Sequence, residues 1–113
     1  MTSKALIDLD HLHSYIGQDR ALRDEILTIF EEQAESWARM IDPRADDSAW
    51  RDATHALKGA SRGVGAWDVG DACAAAEALI GTDAGVEERR AKAEAIRAKV
   101  RATIEEVRRL RAL

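Results

Sequence analysis

Along this chain apolar residues recur at steps of three and four, the period of helices with one buried face, and turn residues cut the pattern into five segments. Asp8 or Asp10 can cap a short helix over Leu9 to Ile16 that stops at Gly17. Asp19 opens a long helix in which Leu22, Ile26, Phe30, Trp37 and Met40 or Ile41 form the expected core stripe, ending near Asp42-Pro43. A third helix follows the cap signals Asp46-Asp47-Ser48, with Trp50, Ala53, Leu57, Ala60 and Val64 as its apolar face and Gly63 and Gly65 loosening its end. Asp68 is positioned to cap a fourth, carrying Val69, Ala72, Cys73, Ala76, Leu79 and Ile80, and Gly81 to Gly85 reads as a loop. The last helix runs from about Val86 to Leu110, with Ile96, Val100, Ile104 and Val107 inward. Four long helices with short connections predict an all-α, antiparallel up-down four-helix bundle with a short additional N-terminal helix.

Composition narrows this picture. A length of 113 residues, 46% hydrophobic and with one proline, fits one folded domain over residues 1–113. The formal charge of −4 hides an asymmetry: residues 1–47 hold 11 acids and 5 bases, residues 86–113 hold 5 acids and 9 bases. Those C-terminal bases alternate with Glu94, Glu105 and Glu106 and lack stacking aromatics, so nucleic acid is not an expected partner. Cys73 is the only cysteine, which excludes an internal disulfide and a cysteine zinc cluster and fits a reducing cytoplasm. Residues Met1 to Asp10 lack a signal-length apolar core, and no window reaches the roughly 18 apolar residues of a membrane span. The expected product is cytoplasmic, with no membrane partner, and monomeric, because the bundle hides its own apolar stripes.

The chemistry concentrates in the third helix. With Trp50 at zero and about 100° per residue, the apolar positions gather at about 310–320° while His55 falls at about 140°, away from the core. Lys58 at about 80°, Arg51 at about 100° and Arg62 at about 120° share its face, with Ala66 at about 160° and Gly59 at about 180°. Gly59 destabilises a helix interior by about 1 kcal/mol and suits a surface that a partner approaches closely. If the third and fourth helices turn near Ala66, residues 11 before and 11 after the turn share a height, which brings Glu77 beside His55. A carboxylate there can accept the Nδ1 hydrogen, fix the tautomer and leave Nε2 as an exposed nucleophile. Such a site suits covalent phosphoryl transfer, with Lys58 the best-placed cation and Arg62 and Arg51 available to phosphoryl oxygens or to a partner's acidic rim.

These residues resemble the histidine-containing phosphotransfer (HPt) domain family. Its signature, His-x-Leu-Lys-Gly-x-Ser/Ala followed by Gly/Ala-Ala, stands here as His55-Ala56-Leu57-Lys58-Gly59-Ala60-Ser61 and Gly65-Ala66. The family's Gln or Glu on the next helix corresponds to Glu77, 22 residues after His55. The resemblance extends from Ile7-Asp8-Leu9-Asp10 through the fourth helix, and implies a bundle with a short helix across one end. It also implies a bacterial-type phosphocarrier of a two-component phosphorelay, taking a phosphoryl group on His55 from a receiver-domain aspartate and passing it to another receiver. Gly59 and Ser61 of the signature, and Arg62 and Arg51 from their place on the helix face, would support the phosphoryl group or the partner; the family is variable at Arg62 and gives it no inherited role.

By the same resemblance the chain binds no cofactor of its own, the receiver bringing Mg2+, and is not an enzyme with its own kinase activity. No Gly-rich nucleotide loop is present. The expected partners are receiver domains of response regulators and hybrid histidine kinases. Leu12, Tyr15 and Ile16 of the first helix are the expected apolar docking patch, and they would equally serve to close the bundle. Trp67 reads as a packing residue. His11 and His13 lie about 200° apart on a helix, cannot share a metal there, and read as surface residues. The alternative function is a helical adaptor or inhibitor that binds a receiver or histidine kinase without being phosphorylated. A metal-binding bundle would need inward histidines, and His55 points outward.

Overall fold

The computed structural model describes residues 5–113; Met1 to Lys4, the start of the segment read above as too polar for a signal sequence, lie outside them. Five helices follow in order, α1 (Leu9–Ile16), α2 (Arg20–Met40), α3 (Asp47–Gly63), α4 (Trp67–Glu77) and α5 (Val86–Arg111), and the described residues contain no strand. Helices α2 to α5 pack in a ring, α2 on α3, α3 on α4, α4 on α5 and α5 on α2, as an up-down bundle requires. No helix among the described residues is long and apolar enough to cross a membrane.

Aspartates set the starts of three helices: the carboxylates of Asp8, Asp19 and Asp46 accept the backbone N–H of His11, Leu22 and Ala49. In α3 and α5 the sequence pattern and the buried face agree, with Trp50, Ala53 and Leu57 meeting Ile96, Val100, Ile104 and Val107 in one core. In α2 the stripe differs from the expected one. Leu27, Phe30, Ala34, Ala38 and Ile41 are inward, whereas Leu22 and Met40 are exposed and Ile26 and Trp37 half-buried. The helix carries two apolar runs centred about 120° apart. The inward run includes two alanines, whose size lets neighbouring backbones approach closely.

The α3–α4 turn is a helix stop built on Gly65. Its φ of +77° is the left-handed conformation that closes a Schellman-type end, with Ala66 N–H donating to the Ser61 carbonyl at 2.8 Å and Gly65 N–H to that of Arg62 at 3.2 Å. A Cβ on Gly65 would lie 2.8 Å from both Cβ and the carbonyl oxygen of Asp8, so glycine also makes room for the N-terminal segment. Asp8 N–H donates to the Gly65 carbonyl at 3.0 Å, and its Oδ2 accepts Trp67 Nε1–H at 2.9 Å. These contacts seat α1 across the end of the bundle where α3 turns into α4. Trp67 is thereby a packing residue, as expected.

Helix α4 begins at Trp67 with Ala66 as its cap, so Asp68 lies inside the first turn instead of capping it. It also stops at Glu77, before the expected Leu79 and Ile80. The carbonyl of Ala76, which the Ile80 N–H would need, accepts the buried Trp50 Nε1–H at 2.8 Å and the Leu79 N–H at 3.2 Å. Trp50 is fixed from its other side by the Arg89 guanidinium, 5.0 Å from the ring centroid and paired with Asp47.

Candidate functional site

His55 projects from the outer face of α3 with its side chain 70% exposed, the placement expected from the helical projection. Glu77, at the last residue of α4, comes to its side as the hairpin register requires. Trp50 makes that register firm, because its indole N–H holds the Ala76 carbonyl and with it the turn bearing Glu77.

The pairing within the site is not the one expected. Glu77 Oε2 lies 3.7 Å from His55 Nδ1, beyond hydrogen-bond length, and only 2.9 Å from Lys58 Nζ. The Lys58 approach is that of an ion pair without hydrogen-bond alignment, so Oε2 is buried with no aligned donor. Lys58 shares the His55 face on the projection, but its side chain is 18% exposed and lies against α4, one turn beyond His55 and rotated toward its partner. The Lys58 ammonium is the largest influence holding the Glu77 carboxyl below its ordinary range, and burial opposes it. Below the pair, burial raises the Cys73 thiol to about 12, so it is not a nucleophile.

Gly59 is exposed, and a Cβ there would meet nothing within 4 Å; neither packing nor backbone geometry in this chain demands glycine at that point. Arg51 and Arg62 are exposed on the same side of α3. The stem of Arg62 lies across α4 at Gly70, where a Cβ would come within 3.0 Å of its Cγ. Ser61 is corrected: it is fully buried, its Oγ has no hydrogen-bond partner, and it cannot touch a phosphoryl group or a partner. At about 20° on the projection it belongs to the core side of α3. Ala66 also leaves the His55 face, because α3 ends at Gly63 and Ala66 is buried as the cap of α4.

Of the three docking residues, Leu12 is fully buried and closes the bundle, and Ile16 is half-buried against the core. Tyr15 alone is open, at 56% exposure, with its hydroxyl donating to the Gly63 carbonyl beside the His55 helix. The sequence reading missed the outward apolar run of α2, where Leu22 and Ile29 are exposed and share a face with Ile26. The signal was present: Ile29 lies off the inward period of Leu27, Phe30 and Ala34. By the antiparallel register about residues 41–46, Ile29 and Gln33 sit near the height of His55. His11 is also corrected from a surface residue. It is half-buried with its ring edge-on to Trp67 and Tyr15, at centroid distances of 4.8 and 5.7 Å. Among the described residues no group of three or more His, Cys, Asp or Glu side chains could hold a metal ion.

With this geometry in place, comparison with known proteins gives a consistent result. The family model described as Hpt domain matches residues 20–110. Among solved structures, histidine phosphotransferase ShpA from Caulobacter crescentus is 34% identical, with a TM-score of 0.70 over 91% of this chain and 88% of that one. No curated protein sequence matches the chain.

Proposed function

The chain belongs to the Hpt domain family, and from that premise we propose that His55 is its phosphoacceptor, taking a phosphoryl group from the aspartate of one receiver domain and delivering it to another. Hpt domains are phosphocarriers of phosphorelays and not kinases, and the exposed imidazole with Lys58 and Glu77 beside it carries the assignment to this residue.

In the forward step the Nε2 lone pair of neutral His55 attacks the phosphorus of the receiver's aspartyl phosphate. The new N–P bond forms as the P–O bond to the aspartyl carboxylate breaks, and its electron pair leaves with that carboxylate. His55 keeps its Nδ1 proton, so the ring becomes cationic, and the Glu77 carboxylate offsets that charge. Lys58, Arg51 and Arg62 supply positive charge to the phosphoryl oxygens and to the receiver's acidic rim. We assign the magnesium ion of the reaction to the receiver: the carboxylate that reaches His55, that of Glu77, is already paired with Lys58. The receiver docks over Tyr15, Leu22 and Ile29, with Gly59 leaving room for close backbone approach.

The test is incubation with a receiver phosphorylated on its aspartate, followed by assay for acid-labile, base-stable phosphate. Labelling of the wild type and its loss in His55→Gln are expected. Equal labelling of the variant overturns the assignment, and receiver binding without any phosphohistidine supports an unphosphorylated adaptor instead.

A further inference from the structure

One oxygen, Glu77 Oε2, faces two cationic or potentially cationic groups, Lys58 Nζ at 2.9 Å and His55 Nδ1 at 3.7 Å. As it stands the oxygen is in ion-pair contact with Lys58 only, and His55 Nδ1 lies beyond hydrogen-bond length. We propose that Glu77 is a shared counter-ion that changes partner on phosphorylation, releasing Lys58 to the phosphoryl oxygens and taking the Nδ1–H of His55. The proposal rests on His55 being the phosphoacceptor.

The change of charge on phosphorylation favours such an exchange. The form of His55 that attacks phosphorus is the neutral one, and the nearest lysine or arginine cation to the carboxylate is Lys58. After transfer the ring carries a positive charge next to Glu77, and a dianionic phosphoryl group has appeared on Nε2, within reach of the Lys58 stem one turn along the same helix. The exchange gives each of the two new charges an opposite charge as its partner. The other charged groups near His55 on α3 are Arg51, Asp52 and Arg62. From α4 the facing groups are Glu77 and the neutral Cys73 thiol. None of these offers the carboxylate a closer ion pair than Lys58. The exchange gives Lys58 a transient role: it is withheld from the site until there is a phosphoryl group to bind.

Two measurements test it. In the unphosphorylated protein, NMR titration of His55 is run for the wild type, Lys58→Ala, Glu77→Gln and the double variant. Removing Lys58 frees the carboxylate to move onto Nδ1, so with Glu77 present Lys58→Ala raises the His55 midpoint by about half a pH unit. In the Glu77→Gln background the rise is at most half as large, and equal rises in both backgrounds overturn the shared oxygen. For the second, the protein is phosphorylated with phosphoramidate, whose P–N bond breaks with loss of ammonia as the His55 N–P bond forms. The ionisation of the phosphoryl group is then followed by 31P NMR. Lys58→Ala should raise its midpoint by about half a pH unit. No movement, with phosphohistidine present, means that Lys58 stays on Glu77 and defeats the exchange alone. Failure of His55 to accept phosphate from either phosphoramidate or a receiver defeats the phosphoacceptor reading as well.

Discussion

Gly65→Ala is the perturbation whose effect the geometry fixes most closely, because two independent demands meet at that residue. Its φ of +77° disfavours any L side chain by about 1–2 kcal/mol. The added Cβ would also lie 2.8 Å from Cβ and the carbonyl oxygen of Asp8, contacts that only displacement of the N-terminal segment relieves. Displacement strains or breaks the Asp8 N–H to Gly65 bond of 3.0 Å and the Trp67 indole bond to Asp8 of 2.9 Å, each contributing about 0.5–1.5 kcal/mol. Together these give a loss of about 2–5 kcal/mol, or about 8–20 °C in Tm at roughly 4 °C per kcal/mol for a chain of this size. Urea unfolding followed by circular dichroism measures the loss, and tryptophan fluorescence reports whether Trp67 loses its contacts first. Receiver binding should weaken in the same variant, because α1 carries Tyr15 to the Gly63 carbonyl, while chemical phosphorylation of His55 continues. An alanine variant within about 0.5 kcal/mol of wild type would refute both the strain and the close approach as reasons for the glycine.

Gly59→Ala should act in the opposite sense on stability: nothing lies within 4 Å of its Cβ position in mid-helix, so urea unfolding should show a gain of about 0.5–1 kcal/mol. Phosphotransfer kinetics should show a higher KM for the receiver, and an unchanged KM would remove Gly59 from the docking surface. Trp50→Phe leaves the buried Ala76 carbonyl without its indole donor, a loss of about 1–3 kcal/mol by urea unfolding. Transfer should slow with it because Glu77 loses its fixed height, and full activity at reduced stability would separate the two roles. The Glu77 carboxyl, held below its ordinary 4.5 by Lys58, contributes stability that is fully present above that pH and is lost as pH falls through the depressed folded value. Lys58→Ala should therefore be less stable than wild type at pH 7 and converge with it in acid; a gap that stays constant down to pH 3 contradicts the ion pair.

How much of this was legible in the chain depended on whether a helix has one apolar face or two. Helix α3 has one, so its 3.6-residue period alone turned His55 outward, and counting residues symmetrically about the glycine-rich turn brought Glu77 to it. The count works because Gly65 forces a tight stop, which leaves little slack in the register. Helix α2 has two apolar faces, and periodicity cannot say which is buried. The large residues Leu22 and Met40 were an attractive choice, but the core took the face with Ala34 and Ala38, where helices can approach. Ser61 was misplaced for another reason, membership in a motif having been taken as a sign of surface, whereas Leu12 resolved to bundle closure, the second of its two readings. The angle of Ser61 on the projection already put it with Thr54, which is also fully buried. The Lys58 pairing was beyond any single-helix projection, since it depends on how far a flexible side chain reaches across to α4. The signature run is consequently not one functional unit. Leu57 and Ser61 belong to the core, His55 and Gly59 to the open surface, and Lys58 to the seam between α3 and α4. Substitutions in the first group should therefore appear as loss of stability and those in the second as loss of transfer without loss of stability, with Lys58 alone lowering both.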